Sequence, residues 1–125
     1  KFSGFVIVPV PLTLRRRLNR GFNQSELLAK EIGSFLNCPV VNLLKRKKFN
    51  FPQAEITDWQ KRKENITGVF EVRLRGIFEV GLQSLPNKII LIDDVSTSGA
   101  TLEEAASVLK QAGAKEIYGL VIAKG

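Results

Sequence analysis

The sequence predicts an α/β domain with a Rossmann-like, mostly parallel sheet flanked by helices. Three observations predict it. Apolar segments of strand length alternate along the chain with amphipathic segments of helical length. One apolar segment, Ile89, Ile90, Leu91 and Ile92, does not alternate at all, as expected of a strand buried on both faces. That run leads directly into two acids, Asp93 and Asp94, and then into a small hydroxyl-rich loop that opens a helix. Strands alternating with helices call for a parallel, doubly wound sheet.

The elements follow in order. Residues 5–10 form a short apolar strand, stopped by Pro9 and Pro11. After an Arg-rich loop, residues 24–36 place Leu27, Leu28, Ile32, Phe35 and Leu36 at helical spacing, with Asn23 or Ser25 as N-cap. Asn37 and Pro39 end that helix. Residues 40–44 are a second short strand, and residues 45–68 are a long polar stretch around Trp59 with little periodicity. Loops beyond about 15 residues in a compact domain are usually functional or mobile. Residues 69–74, V-F-E-V-R-L, alternate as a half-buried strand does. Residues 88–92 are the strand before the acid pair, residues 101–111 a helix stopped by a left-handed Gly113, and residues 117–123 a last strand.

Composition bounds the function. The 125 residues make one domain, 1–125, without repeats or low-complexity tracts, and 44% hydrophobic with 25% charged residues is the balance of a soluble globular protein. No apolar stretch approaches the about 20 residues of a membrane span. With no signal peptide and a single cysteine, Cys38, the expected location is cytoplasmic. Cys38 is expected in the core, because the chain has no histidine to activate it as a nucleophile. The chain starts without Met and runs straight into a strand, so a fragment of a longer protein is expected.

Charge is unevenly placed. Residues 1–75 carry 15 Lys and Arg against 6 acids, a net of +9, whereas residues 76–125 carry 4 against 6, a net of −2. The basic residues cluster at Arg15, Arg16, Arg17 and Arg20, at Lys45, Arg46, Lys47 and Lys48, and at Lys61, Arg62 and Lys63. Pyrophosphate, a nucleotide or a nucleic-acid backbone each fits such a surface, as does plain solvent.

The strongest site signal is the order of chemistry at residues 89–101. A parallel strand delivers Asp93 and Asp94 to its carboxyl end, where open α/β sheets bind ligands. Ser96, Thr97, Ser98, Gly99, Ala100 and Thr101 then offer hydroxyls and backbone N–H groups at a helix start, a ready phosphate site. Carboxylates accept hydrogen bonds from hydroxyls and also hold Mg²⁺. A phosphorylated sugar satisfies both halves.

This strand, acid pair and loop resemble the 5-phosphoribosyl-1-pyrophosphate (PRPP) motif of type I phosphoribosyltransferases, with Ser96 standing where that motif usually has an aliphatic residue. The basic half resembles the ComF family: V-P-V-P-L at residues 8–12, Arg20-Gly21-Phe22-Asn23-Gln24, and the spaced set Arg46, Gln53, Arg62, Asn65, Gly68 and Phe70. Asn50 departs from a Thr common in that pattern. The cysteine-rich zinc module of many members has no counterpart in these residues, which leaves no CxxC pair to bind metal.

The resemblance implies a type I phosphoribosyltransferase-like fold with a flexible hood loop at about residues 45–70. It implies that Asp93 and Asp94 are the catalytic pair, meeting the ribose hydroxyls and Mg²⁺ directly or indirectly, and that residues 96–101 take the 5′-phosphate. Pro9, Val10, Pro11, Leu12, Arg20 and Gly21 would take pyrophosphate, and Arg46, Gln53, Arg62 and Asn65 belong to the hood. Two functions of different classes follow. One is a Mg²⁺-dependent phosphoribosyltransferase with an unknown acceptor. The other is a PRPP-binding, single-stranded-DNA-binding competence protein working with helicase machinery in DNA uptake. Phe49, Phe51 and Trp59, which lie among the basic clusters, either stack on bases or anchor the hood.

Overall fold

A computed structural model describes residues 3–11, 24–47, 70–96 and 100–124. Its main sheet holds three parallel strands, β1 (Phe5–Pro9), β4 (Lys88–Ser96) and β5 (Glu116–Lys124), with β4 in the middle. Phe5 pairs with Lys88 and Pro9 with Ile92, while on the other side Lys88 pairs with Glu116 and Ser96 with Lys124. β4 therefore runs on beside β5 after β1 has stopped. The expected strand of residues 88–92 extends through the acid pair because β5 is long enough to keep pairing with it. Along the far edge of β1, Ile7 donates its N–H to the Pro39 carbonyl and accepts from the Val41 N–H, both at 2.8 Å.

Helices cover both faces. Helix α1 (Gln24–Leu36) packs Leu28, Ala29, Ile32 and Leu36 on the face carrying Phe5, Ile7, Ile90 and Ile92. Helix α3 (Ala100–Gln111) packs Ala105 and Leu109 on the face carrying Val6, Val8, Ile89 and Leu91. Alternation across the pleat divides the residues this way, so the unbroken I-I-L-I run is buried on both sides. Each such side chain contributes about 1.5–3 kcal/mol by leaving water.

Helix ends follow local chemistry in part. Asn37, with φ 58°, ends α1, and the Cys38 N–H donates to the Gly33 carbonyl at 2.8 Å. Gly113, with φ 123°, ends α3 as expected, and the Ala114 N–H reaches back to the Leu109 carbonyl at 3.0 Å. Cys38 is buried in the core, as expected. Ser25 is not the N-cap, since it lies inside the first turn of α1 and is fully buried. The other candidate cap, Asn23, lies outside the described residues. No described helix is long and apolar enough to cross a membrane.

The strands expected at residues 40–44 and 69–74 do not add to the parallel sheet as full strands. Val40 makes one parallel bridge with Ile7. The chain then turns away, and β2 (Leu44–Arg46) pairs antiparallel with β3 (Phe70–Val72) as a separate ribbon. An apolar run reports burial but not the partner strand, and Leu43, Leu44 and Phe70 are buried against the α3 face of the sheet.

A short helix, α2 (Arg75–Glu79), was not expected. Its five residues are too few to show a helical period. Arg73 ties it down, with Nη1 and Nη2 each 2.7 Å from a Glu79 carboxylate oxygen and Nη1 also donating to the Asn42 carbonyl at 3.3 Å. The paired guanidinium hydrogen bonds hold the Glu79 carboxyl below its ordinary range, so the tie is formed at neutral pH. Gly76 is required for the same approach, because a Cβ there would overlap the Asn42 carbonyl oxygen. Gly76→Ala is expected to destabilise the protein by about 1–3 kcal/mol, read as a lower denaturation midpoint. An unchanged midpoint would contradict the close approach.

Candidate functional site

The site begins where β1 ends. Pro9 is the last residue of β1, and Pro11, having no N–H, cannot extend the ladder. Among the described residues, the last bond between the two strands is the Val10 N–H donating to the Ile92 carbonyl at 2.9 Å. In sequence, β1 is followed by α1 on one face of the sheet, and β4 by α3 on the other. Connections that leave adjacent parallel strands in opposite directions open a crevice between their carboxyl ends. By that rule the crevice of this sheet is expected between Pro9–Pro11 and the part of β4 that begins at Asp93.

Asp93 is buried, 5% exposed, and pairs in register with Val121 of β5. By alternation from Ile89 and Leu91 it belongs to the α3 face. Asp94 follows within β4, and Ser96 closes the strand opposite Lys124. Ala100 and Thr101 are the first residues of α3, one position earlier than the expected start. The first-turn N–H groups of a helix lack intrahelical partners and stand at its positive end. A buried carboxylate and a helix start thus follow one another at the carboxyl end of β4. A cavity of about 450 Å³ lined by Gly4, Phe5, Leu36, Asn37, Pro39 and Leu82 sits at the opposite, amino end and takes no part in this arrangement.

Of the pyrophosphate candidates, Pro9, Val10 and Pro11 lie at the carboxyl end of β1, while Leu12, Arg20 and Gly21 lie outside the described residues. Of the phosphate loop, Ser96, Ala100 and Thr101 are described and Thr97, Ser98 and Gly99 are not. Among the hood candidates only Arg46 is described, Gln53, Arg62 and Asn65 lying outside, as do Phe49, Phe51 and Trp59. Arg46 ends β2, and its Nε–H donates to the Pro11 carbonyl at 2.9 Å while its guanidinium lies 4.8 Å from the centre of the Phe70 ring. Sequence reasoning missed both contacts, because nothing local links Arg46 to Pro11, 35 positions away, or to Phe70. Among the described residues no group of three or more His, Cys, Asp or Glu converges on a metal position. Two carboxylates suit a Mg²⁺ ion carried with a phosphorylated ligand and water rather than an all-protein cage.

Comparisons with known proteins agree with this geometry. A family model described as the phosphoribosyl transferase domain matches residues 19–125. Competence protein F of Haemophilus influenzae is 33% identical over 113 residues, covering 89% of this chain and 46% of its own length. Competence protein ComFC of Streptococcus pneumoniae is 32% identical over 117 residues, covering 94% and 47%. The DNA utilization protein YhgH of Escherichia coli K12 is 31% identical over 111 residues, covering 89% and 45%. The chain spans about half the length of the curated relatives it matches. Among solved structures, the allosteric regulatory enzyme of purine biosynthesis matches 94% of this chain and 21% of its own, with a TM-score of 0.57 at 15% identity, a likeness of fold alone.

Proposed function

The chain belongs to the phosphoribosyl transferase domain family, with ComF-type competence proteins among its relatives, and on that premise we propose that it binds PRPP in the crevice between β1 and β4. One observation carries this reading: the acid pair and the start of α3 stand at the carboxyl end of the strand that adjoins the change in crossover direction. Asp93 and Asp94 accept hydrogen bonds from the ribose hydroxyls. The loop from Ser96 through Thr97, Ser98, Gly99 and Ala100 to Thr101 takes the 5′-phosphate at the helix start. Backbone of the Pro9–Pro11 turn, with Leu12, Gly21 and the guanidinium of Arg20, takes pyrophosphate. Gln53, Arg62 and Asn65 belong to the hood over the ligand.

Transfer of the phosphoribosyl group to a nitrogen acceptor is the activity proposed for this site. The bond from ribose C1 to the pyrophosphate oxygen breaks, and a bond from C1 to the acceptor nitrogen forms. Mg²⁺ bound with the ligand near Asp93 and Asp94 would neutralise charge on departing pyrophosphate. The chain's own part is to hold both ends of the ligand in place and to surround the leaving group with fixed donors. The proton lost by the acceptor nitrogen would pass to a carboxylate or to the departing pyrophosphate.

A second reading, non-catalytic binding of PRPP and single-stranded DNA in DNA uptake, is favoured by the names of the competence and DNA utilization relatives and by the +9 charge of residues 1–75. A location in the cytoplasm fits either reading.

Calorimetric titration of PRPP with Mg²⁺ is expected to show saturable binding that falls about a hundredfold or more in the Asp93→Asn/Asp94→Asn variant, with the melting temperature kept. Equal affinity in a folded variant would contradict the site. For the second reading, affinity for an oligothymidylate is expected to fall steeply between low and moderate salt while PRPP affinity falls less. No binding of the oligonucleotide at low salt would remove it.

A further inference from the structure

Arg46 and Phe70 face each other across the β2–β3 ribbon, as register partners at its outer end. The Phe70 ring is 1% exposed and belongs to the same buried cluster as Val10, Leu43 and Leu44. Over that fixed ring lies the Arg46 guanidinium, and from it the Nε–H donates to the Pro11 carbonyl at 2.9 Å. Only arginine offers both contacts from one plane: a flat cation that lies against an aromatic face and an N–H directed along that plane.

The receiving group is singular too. Proline has no N–H, so the carbonyl is the only backbone hydrogen-bonding group of Pro11. One residue earlier, the Val10 N–H is held by the Ile92 carbonyl of β4 at 2.9 Å. The end of β1 is therefore held from two sides, by the central sheet at Val10 and by the ribbon at Pro11. Because a peptide unit is planar and rigid, fixing the direction of the carbonyl fixes the whole plane that follows it.

We infer that Arg46 is a positioning residue, which aims the Pro11 peptide at the pyrophosphate end of the crevice by holding its carbonyl against the Phe70 platform. This rests on the proposed PRPP site and departs from the expectation that Arg46 serves as a hood residue over the ligand. A charged donor on a carbonyl makes a short, strong hydrogen bond, whereas lysine loses both the directed Nε–H and the flat contact with the ring. The two ends of the ligand are accordingly independent: Arg46 acts on the pyrophosphate end and leaves the phosphate end, at the start of α3, untouched.

The test compares binding of PRPP, inorganic pyrophosphate and ribose 5-phosphate, each with Mg²⁺, to the wild type, Arg46→Lys and Phe70→Leu, with melting temperatures recorded alongside. Both variants are expected to lose about tenfold in affinity for PRPP and for pyrophosphate while ribose 5-phosphate binds as before. Loss in Arg46→Lys with none in a folded Phe70→Leu would mean that Arg46 meets the ligand directly, overturning the positioning role. Equal weakening of all three ligands by Arg46→Lys, or no effect on any, would also overturn it. Wild-type protein that binds ribose 5-phosphate and PRPP keeps the underlying site whatever the variants do, whereas wild-type protein that binds none of the three removes that site and the role of Arg46 with it.

Discussion

Ile89, Ile90, Leu91 and Ile92 are held in β4 by two parallel neighbours and two covering helices, and this burial on both faces places everything that follows. A strand so enclosed has little freedom to slip, because a shift of one residue would exchange the side chains facing α1 with those facing α3. Asp93 consequently emerges at a defined height, one residue past the point where β1 ends. Unequal strand length does the rest. β1 stops at its prolines while β4 and β5 continue, so Asp93 lies past the last register pair of β1 and still pairs with β5.

Beside this sheet stands the ribbon of β2 and β3. It is antiparallel and separate from the main sheet, yet Phe70, Leu43 and Leu44 bury their side chains in the core that β1 and β4 share. The ribbon is thus anchored from below, and Arg46 extends from it to the turn after β1. Two parts of the chain that are far apart in sequence are joined there through the Arg46 guanidinium. Arg73 performs a comparable bridging at the other end of the ribbon, linking Asn42 to α2 through Glu79. Both contacts depend on the planar fork of arginine, which satisfies a carbonyl and a second group at once.

Much of this architecture was legible in the residues, and the reasons differ from element to element. The unbroken I-I-L-I run announced a strand covered on both faces, α1 showed its helical period, and Gly113 marked the end of α3 by its tolerance of positive φ. Expectations failed where the deciding contact lay far away in sequence. Residues 40–44 and 69–74 read correctly as apolar and partly alternating, but which strand each would meet was set by tertiary packing. Ser25 has the right chemistry for an N-cap and is instead buried inside the helix. α2 depends on Gly76 fitting beneath Asn42 and on the Arg73–Glu79 pair, neither of which leaves a periodic trace. In the site, the acid pair and helix start were legible because they are contiguous, whereas the clasp of Arg46 on Pro11 was not.

The central claim is that the carboxyl end of the sheet, between β1 and β4, is the PRPP site. Backbone amide NMR of the protein titrated with PRPP and Mg²⁺ tests it most directly, because it reports where on the molecule the ligand sits without requiring an acceptor. Saturable shifts are expected at Val10, Asp93, Asp94, Ser96, Ala100 and Thr101, with Gly4, Asn87 and Ala114 at the amino ends unmoved. Shifts confined to the amino-end residues, or none at any of these positions in the folded protein, would contradict it.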